Sequence, residues 1–225
     1  MTTKIIAPAE LDAVQKDRMF QLMATHYDGV KPDVFLQDLQ EKDAVILLEE
    51  EGEVIGFSTQ KIIETHGIRA VFSGDTIIDR AHWGTQQLSR AFARHFFSHP
   101  DGPLYWFLIS KGYKTYKYLP TFFRTFYPRY DQETPADMKM LLDALGQRLY
   151  PDTYCPKTGV ITYGEKKDRL KPELVDLSAR EGDPHYDFFV QANPNFASGD
   201  DLACITLLSR DNLRKGTERI LFGKA

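Results

Sequence analysis

The stretch Thr76-Ile-Ile-Asp-Arg-Ala-His-Trp-Gly-Thr-Gln-Gln-Leu88 passes from a β-branched strand pattern into a helical one. A helix start carries N–H groups with no intrahelical acceptor and the positive end of the helix dipole, so such a junction favours an anion. Gly84 leaves bare backbone for a phosphate to approach, and Thr85 suits the N-cap. Arg80 could add charge-assisted hydrogen bonds. Arg90 and Arg94, one helical turn apart, could meet a second phosphate. The same residues also fit an ordinary capped helix with a solvated arginine face.

Other chemistries find little support. His26, His66, His82, His95, His99 and His185 show no metal-ligand spacing, and His95 and His99 lack an HExxH context. No nucleophile-elbow, Walker A or dinucleotide-binding fingerprint occurs. Cys155 and Cys204 lie far apart without CxxC spacing, so small buried hydrophobes are expected rather than a disulfide or zinc site. Glu49-Glu50-Glu51 reads as a solvated strand end. The chain has 225 residues, 42% of them hydrophobic, which is enough for a core without disulfides or metal. Its formal charge of −4 argues against a generic nucleic-acid binder. No signal peptide or membrane span is read, and a reducing cytoplasm is the expected location.

The elements that must position the junction follow from pattern. A helix is expected from Pro8 through Met23, and a second, short one from Pro32 through Leu39. Ala44 to Glu49, Val54 to Ile63 and Ile68 to Ile78 read as an antiparallel meander joined by short glycine turns. Gly56 and Gly74 inside these strands suggest a bulge or a close backbone approach. Leu88, Ala91, Phe92, His95 and Phe96 make an amphipathic helix, and Leu104 to Ile109 a strand buried on both faces. Tyr113 to Phe126 is expected mostly helical. Pro135 to Tyr150 reads as a helix, Val160 to Tyr163 as a strand, Tyr186 to Ala192 as a helical turn and Leu202 to Leu208 as a strand. A polar tail follows from Asn212.

This order, with the junction, resembles the GNAT acyltransferase superfamily: two helices, a three-strand meander, a phosphate-binding helix, a further strand and another helix. The family's pyrophosphate loop reads Arg/Gln-x-x-Gly-x-Gly/Ala with a leucine three residues later. Arg80 and Leu88 match it, Trp83 and Thr85 stand in the glycine slots, and Gly84 lies between them. The resemblance spans residues 5 to 130. It implies an α+β or α/β fold with a mixed, mostly antiparallel central sheet flanked by helices. Residues 1–130 would form the acyltransferase core and 131–225 a C-terminal extension packed on it.

The resemblance also implies a mechanism. The fourth and fifth strands of the family splay apart, and the arm of an acyl thioester, carried by coenzyme A or an acyl carrier protein, enters the gap. An amine or hydroxyl of a small acceptor then attacks. Asp75, Thr76, Ile77 and Ile78 would line one side, and Phe107 to Ser110 the other. The donor would be held by Ile77, Ile78, Arg80, Gly84, Thr85, Gln86 and Lys111, with no metal. Asp75 and His82 are candidate bases. Phe123 stands where the family has its acid tyrosine, so Tyr113, Tyr116 or Tyr118 would replace it.

Lys111 to Arg129 carries five basic residues and no acidic one, with aromatics between them. Three readings stay open: a solvated basic face over an aromatic core, a docking surface for the phosphorylated donor, and a single-strand nucleic-acid surface. The residues Phe57, Phe72, Trp106, Phe107 and Phe122 suit either core or an acyl group longer than acetyl. A catalytically inactive binding module with the same fold is the alternative to an enzyme.

Overall fold

The structure is a computed structural model and describes residues 1–65, 67–97, 102–164, 168–174 and 182–223, so His66 and His99 lie outside the described residues. Strands β1 (Thr2–Ile6), β3 (Ala44–Glu50), β4 (Glu53–Thr65), β5 (Ile68–Ile78) and β6 (Leu104–Ser110) belong to an eight-stranded sheet. Its other strands are β7 (Tyr154–Cys155), β8 (Val160–Ile161) and β10 (Asp201–Leu207), and its order is β1-β3-β4-β5-β6-β10-β8-β7. Every adjacent pair is antiparallel except β5 and β6. A two-stranded sheet joins β2 (Tyr27–Asp28) to β9 (Arg169–Leu170). This is the mixed, mostly antiparallel, helix-flanked sheet that the resemblance implied.

Strand alternation sends successive side chains to opposite faces and so decides which helix covers which face. Val45, Leu47, Phe57 and Ile77 meet α1 (Ala13–His26) and α2 (Pro32–Gln40). Met19, Leu22, Phe35 and Leu39 of those helices are at most 5% exposed, and each stabilises by roughly 1.5–3 kcal/mol through burial. Farther along the same face, Phe72, Phe107, Ala203 and Ile205 pack on α6 (Ala136–Leu149). The opposite face packs Ile46, Leu48 and Ile55 against α3 (Gln87–Phe96). There, too, Leu104, Leu108 and Cys204 meet α4 (Tyr113–Tyr116), α5 (Tyr118–Phe122), α7 (Pro184–Ala192) and α8 (Thr217–Phe222).

The meander and the helices α2, α3, α6 and α7 lie close to their expected places. The N-terminus differs. Helix α1 starts at Ala13, not Pro8, where Asp12 accepts from the Gln15 amide at 2.8 Å and Gln15 answers to the Asp12 amide at 3.1 Å. The β-branched run before it instead forms β1 on the sheet edge, in register with β3. Tyr113 to Phe126 holds two short helices of four and five residues, in keeping with the mostly helical expectation. The tail ends in α8, which engages Arg90: its Nε donates to the Ile220 carbonyl at 2.8 Å. Glu49 is not solvated; it is 6% exposed and accepts from Lys4 at 2.6 Å. After residue 130 the chain returns to the same sheet, since β10 pairs with β6 from Leu202↔Ser110 to Leu207↔Tyr105.

Candidate active site

Strands β5 and β6 run parallel only from Arg69↔Leu104 to Ser73↔Leu108. Beyond that point they part. Thr76, Ile77 and Ile78 stay with β4, whereas Ile109 and Ser110 stay with β10. The gap opens a cavity of about 970 Å³ that reaches both faces of the sheet. On one face it is lined by Gly84, Thr85, Gln86 and Ser89 near the start of α3, and on the other by Tyr27, Asp38, Lys42 and Asp168.

The parting begins at a bulge. Ser58 pairs with Thr76 and Gln60 with Ser73, so Thr59 alone faces both Gly74 and Asp75. A Cβ on Gly74 would stand 2.5 Å from Thr59 Oγ1 and 3.1 Å from Lys42 Cε, so the bulge needs a bare backbone here. The extra residue turns Asp75 into the cavity on the α1–α2 face. Burial, reinforced by the Asp38 carboxylate, pushes its carboxyl up to about 6, against the opposing pull of Lys42. Lys42 itself is held by Asp38 at 2.6 Å, and Lys111 by Asp168 at 2.8 Å. Tyr27 and Tyr150 complete this end, and burial keeps their hydroxyls protonated. Four aspartates, Asp38, Asp75, Asp168 and Asp201, line the cavity among the described residues.

On the α3 face, Gly84 holds φ +94°, a left-handed conformation that a side chain would strain. The amides of Leu88 and Ser89 lie in the first helical turn, where no intrahelical acceptor exists. Thr85 Oγ1 receives the Gln87 amide at 3.4 Å, although Gln86 is the N-cap. Trp83 is 47% exposed, with its indole donating to the Ile78 carbonyl at 2.9 Å. Lys114 Nζ stands 4.6 Å from the centre of its ring. Tyr118 faces the same space, bonded to Ser89 Oγ and donating to Gln86 Oε1 at 3.3 Å. Burial raises its pKa, so the hydroxyl keeps its proton.

The sequence-based candidates divide. Asp75, Ile78, Gly84, Thr85, Gln86 and Lys111 line the cavity, but Lys111 does so at the aspartate end, 5.2 Å from the Tyr27 ring centre. Ile77 points into the α1–α2 core. Arg80 turns outward to Glu173 at 3.3 Å. His82 is held by Glu50 at 2.9 Å and is not among the lining residues. Tyr113 and Tyr116 are buried, with hydroxyls spent on Asp183 and the Pro128 carbonyl. Of the aromatics suggested for an acyl group, Phe72, Trp106 and Phe122 line the cavity, while Phe57 and Phe107 are fully buried. Tyr113, Tyr116, Phe122, Phe123, Phe126 and Tyr127 are each at most 7% exposed, and Tyr118 is half-buried.

Sequence reasoning missed Asp38, Lys42, Tyr150, Asp168 and Asp201. Apart from Asp38 and Lys42, an i,i+4 pair, they come from distant parts of the chain and share no spacing that a sequence pattern could show. Among the described residues no helix is long and apolar enough to cross a membrane, and no three metal-ligating side chains cluster.

No family model and no curated protein matches the sequence. Solved structures do resemble it. One is ElaA from Escherichia coli, 20% identical over 59% of this chain and 93% of that one, with a TM-score of 0.37. Another is an aminoglycoside 6'-acetyltransferase type Ii, 14% identical over 57% and 88%, with a TM-score of 0.42. A third is a ribosomal-protein-alanine N-acetyltransferase from Brucella melitensis biovar Abortus 2308, 12% identical over 42% and 69%, with a TM-score of 0.34. Each is a likeness of fold at low identity.

Proposed function

We propose that the protein is an N-acyltransferase that moves an acyl group from a coenzyme A thioester to a small amine. The observation that carries this reading is the parted β5–β6 pair, with a cavity through it that joins the first turn of α3 to Asp75. The phosphates of the donor would meet the free amides of that turn, and its arm would lie along the unpaired edge of β5. The aspartate end suits a cationic acceptor, which must lose a proton before its nitrogen can attack. Asp75 takes that proton, the neutral nitrogen bonds to the thioester carbonyl carbon, and the carbon–sulfur bond breaks as the nitrogen releases its second proton, which replaces the one that leaves Tyr118. Tyr118 is the candidate donor of a proton to the leaving thiolate. The products are an amide and the free thiol. An acyl carrier protein would present the same arm and is the second donor to test. A cytoplasmic location fits either donor.

Coenzyme A is expected to raise the melting temperature, because a ligand at 100 times its Kd stabilises by about 2.7 kcal/mol. Acetyl-CoA, a longer acyl-CoA and an acyl carrier protein complete the series. If none of them shifts the melt, the acyltransferase reading is wrong and the interaction-module alternative gains.

The two buried tyrosines provide a control. Tyr113→Phe should cost about 1.5–3 kcal/mol of stability, its hydrogen bond being to the Asp183 carboxylate, and Tyr116→Phe about 0.5–1.5 kcal/mol, yet both should leave turnover at the wild-type level. Tyr118→Phe should lower turnover as well, beside a similar stability cost from its lost bonds to Ser89 and Gln86. Thermal melts and initial rates on the three variants check this assignment.

A further inference from the structure

The chain crosses from α2 to β3 in three residues, Glu41, Lys42 and Asp43, and the middle one turns inward. The crossing is held at both ends. The Lys42 amide donates to the Leu39 carbonyl at 3.2 Å, and Asp43 is tied to β4 through the Gln60 carbonyl at 2.9 Å and the Ile62 amide at 2.6 Å. The Lys42 side chain is 5% exposed, which is unusual for a lysine. Its stem runs past the bulge: a Cβ on Gly74 would stand 3.1 Å from Cε and 3.7 Å from Nζ. The ammonium lies 5.8 Å from the centre of the Phe72 ring and bonds at 2.6 Å to Asp38, which lines the cavity. A pair of opposite charges is therefore held beside the residue that precedes Asp75. Stability alone does not explain it, because replacing a buried ion pair by apolar groups is often neutral or stabilising.

The remaining charges at this end of the cavity come from other elements. Lys111, after β6, and Asp168, before β9, form a second bonded pair at 2.8 Å. Asp201 adds a carboxylate from the start of β10, and burial keeps the Tyr27, Tyr150 and Tyr163 hydroxyls neutral. Burial is the largest influence on the Asp75 carboxyl. Asp38 comes next and raises its pKa, Lys42 follows and lowers it, and Asp168 and Lys111 act more weakly in the same two senses.

We propose that Asp38 and Lys42 are positioning residues for Asp75: the pair, held between α2 and the Gly74 bulge, fixes the charge with which Asp75 meets the acceptor. The ammonium favours the ionised carboxylate in a cavity that would otherwise hold it protonated. The Asp38 carboxylate opposes the ammonium, so the ionised form stays basic enough to take a proton. The proposal rests on the acyltransferase reading, which makes Asp75 the base, and adds to it what sets the strength of that base. It also gives Gly74 a second use, since a side chain there would meet the lysine stem.

NMR of protein isotope-labelled at its aspartate carboxyl carbons tests this without turnover, the Asp75 resonance being identified by its loss in Asp75→Asn. Lys42→Met keeps the apolar stem and removes the ammonium, so the pH midpoint of Asp75 should rise by roughly one pH unit from the wild-type value of about 6. Asp38→Asn keeps the shape and removes the negative charge, so the midpoint should fall by roughly as much. The double variant should lie between the two single variants. In each protein the rising limb of kcat/KM should move with the midpoint. Unchanged midpoints in both single variants would overturn the proposal. Displacement of both in the same direction would also overturn it, since that signals disturbed packing rather than charge. Should Asp38→Asn fail to fold with its lysine left unpaired, Lys42→Met and the double variant decide: equal midpoints in these two overturn the proposal, and a lower one in the double variant supports it. Failure of the wild type to acylate any amine is a different result. It removes the acyltransferase reading, while the carboxyl midpoints still report whether the pair governs Asp75.

Discussion

Asp75→Asn is expected to lower turnover by about two to four orders of magnitude while coenzyme A binds as before, the usual range for a lost general base. Asparagine keeps the shape of the side chain but cannot take a proton from the acceptor. In the wild type kcat/KM should rise with pH and level off above about 6, where the Asp75 carboxylate is ionised. That rising limb should vanish in the variant. Stability should move the other way. The folded-state value of about 6 lies above the usual 3.8, so the folded protein holds this proton more tightly than the unfolded chain. The contribution is favourable while the carboxyl is protonated, below pH 3.8, and is lost as pH rises to about 6. At pH 8 the charged form costs at most about 3 kcal/mol, and the neutral asparagine removes that cost. A variant less active and more thermostable at pH 8 than wild type supports the base. A variant that loses both points instead to a structural role for Asp75.

The opposed effects of one side chain show where sequence is informative and where it stops. The meander and α3 were legible because their side chains follow a period set by one buried face. Gly74 was legible as a bulge because glycine within a strand pattern has few other uses. The environment of Asp75 was not. Asp38 comes from α2, packed on the meander, whereas Asp168 just before β9 and Asp201 at the start of β10 reach the cavity only through the later course of the chain. Tyrosine roles failed for a related reason. Tyr113, Tyr116 and Tyr118 are equivalent as letters, yet the break between α4 and α5 sends two of them into the core and one to the cavity. His82 lies in the strand-to-helix turn before α3, and Glu50, from another strand, decides its direction. Composition and period report local burial; they say little about which distant carboxylates share a site.

Gly74→Ala should reproduce much of the loss caused at Asp75 through geometry alone. The backbone at Gly74 does not require a left-handed conformation, so the effect is steric: the new methyl lies 2.5 Å from Thr59 Oγ1 and 3.1 Å from Lys42 Cε. The Lys42 contact can yield, because it lies near the end of a flexible side chain. Thr59 is 1% exposed on a stiff, β-branched side chain, and yields less. Overpacking of this kind costs about 1–3 kcal/mol, and relief by a shift of the bulge would carry Asp75 with it. A displacement of about 1 Å at a reacting group is enough for a loss of about 100-fold in rate. Thr59 Oγ1 has no hydrogen-bond partner, so Thr59→Ala removes the obstacle without breaking a bond. The double variant Gly74→Ala/Thr59→Ala should therefore recover stability and rate together, with a coupling of about 0.5–3 kcal/mol in the double-mutant cycle. Thr59→Val is the control. It leaves a methyl where the hydroxyl stood, so paired with Gly74→Ala it should rescue nothing. Additive losses in the Thr59→Ala cycle would mean that the bulge is set by something other than this contact.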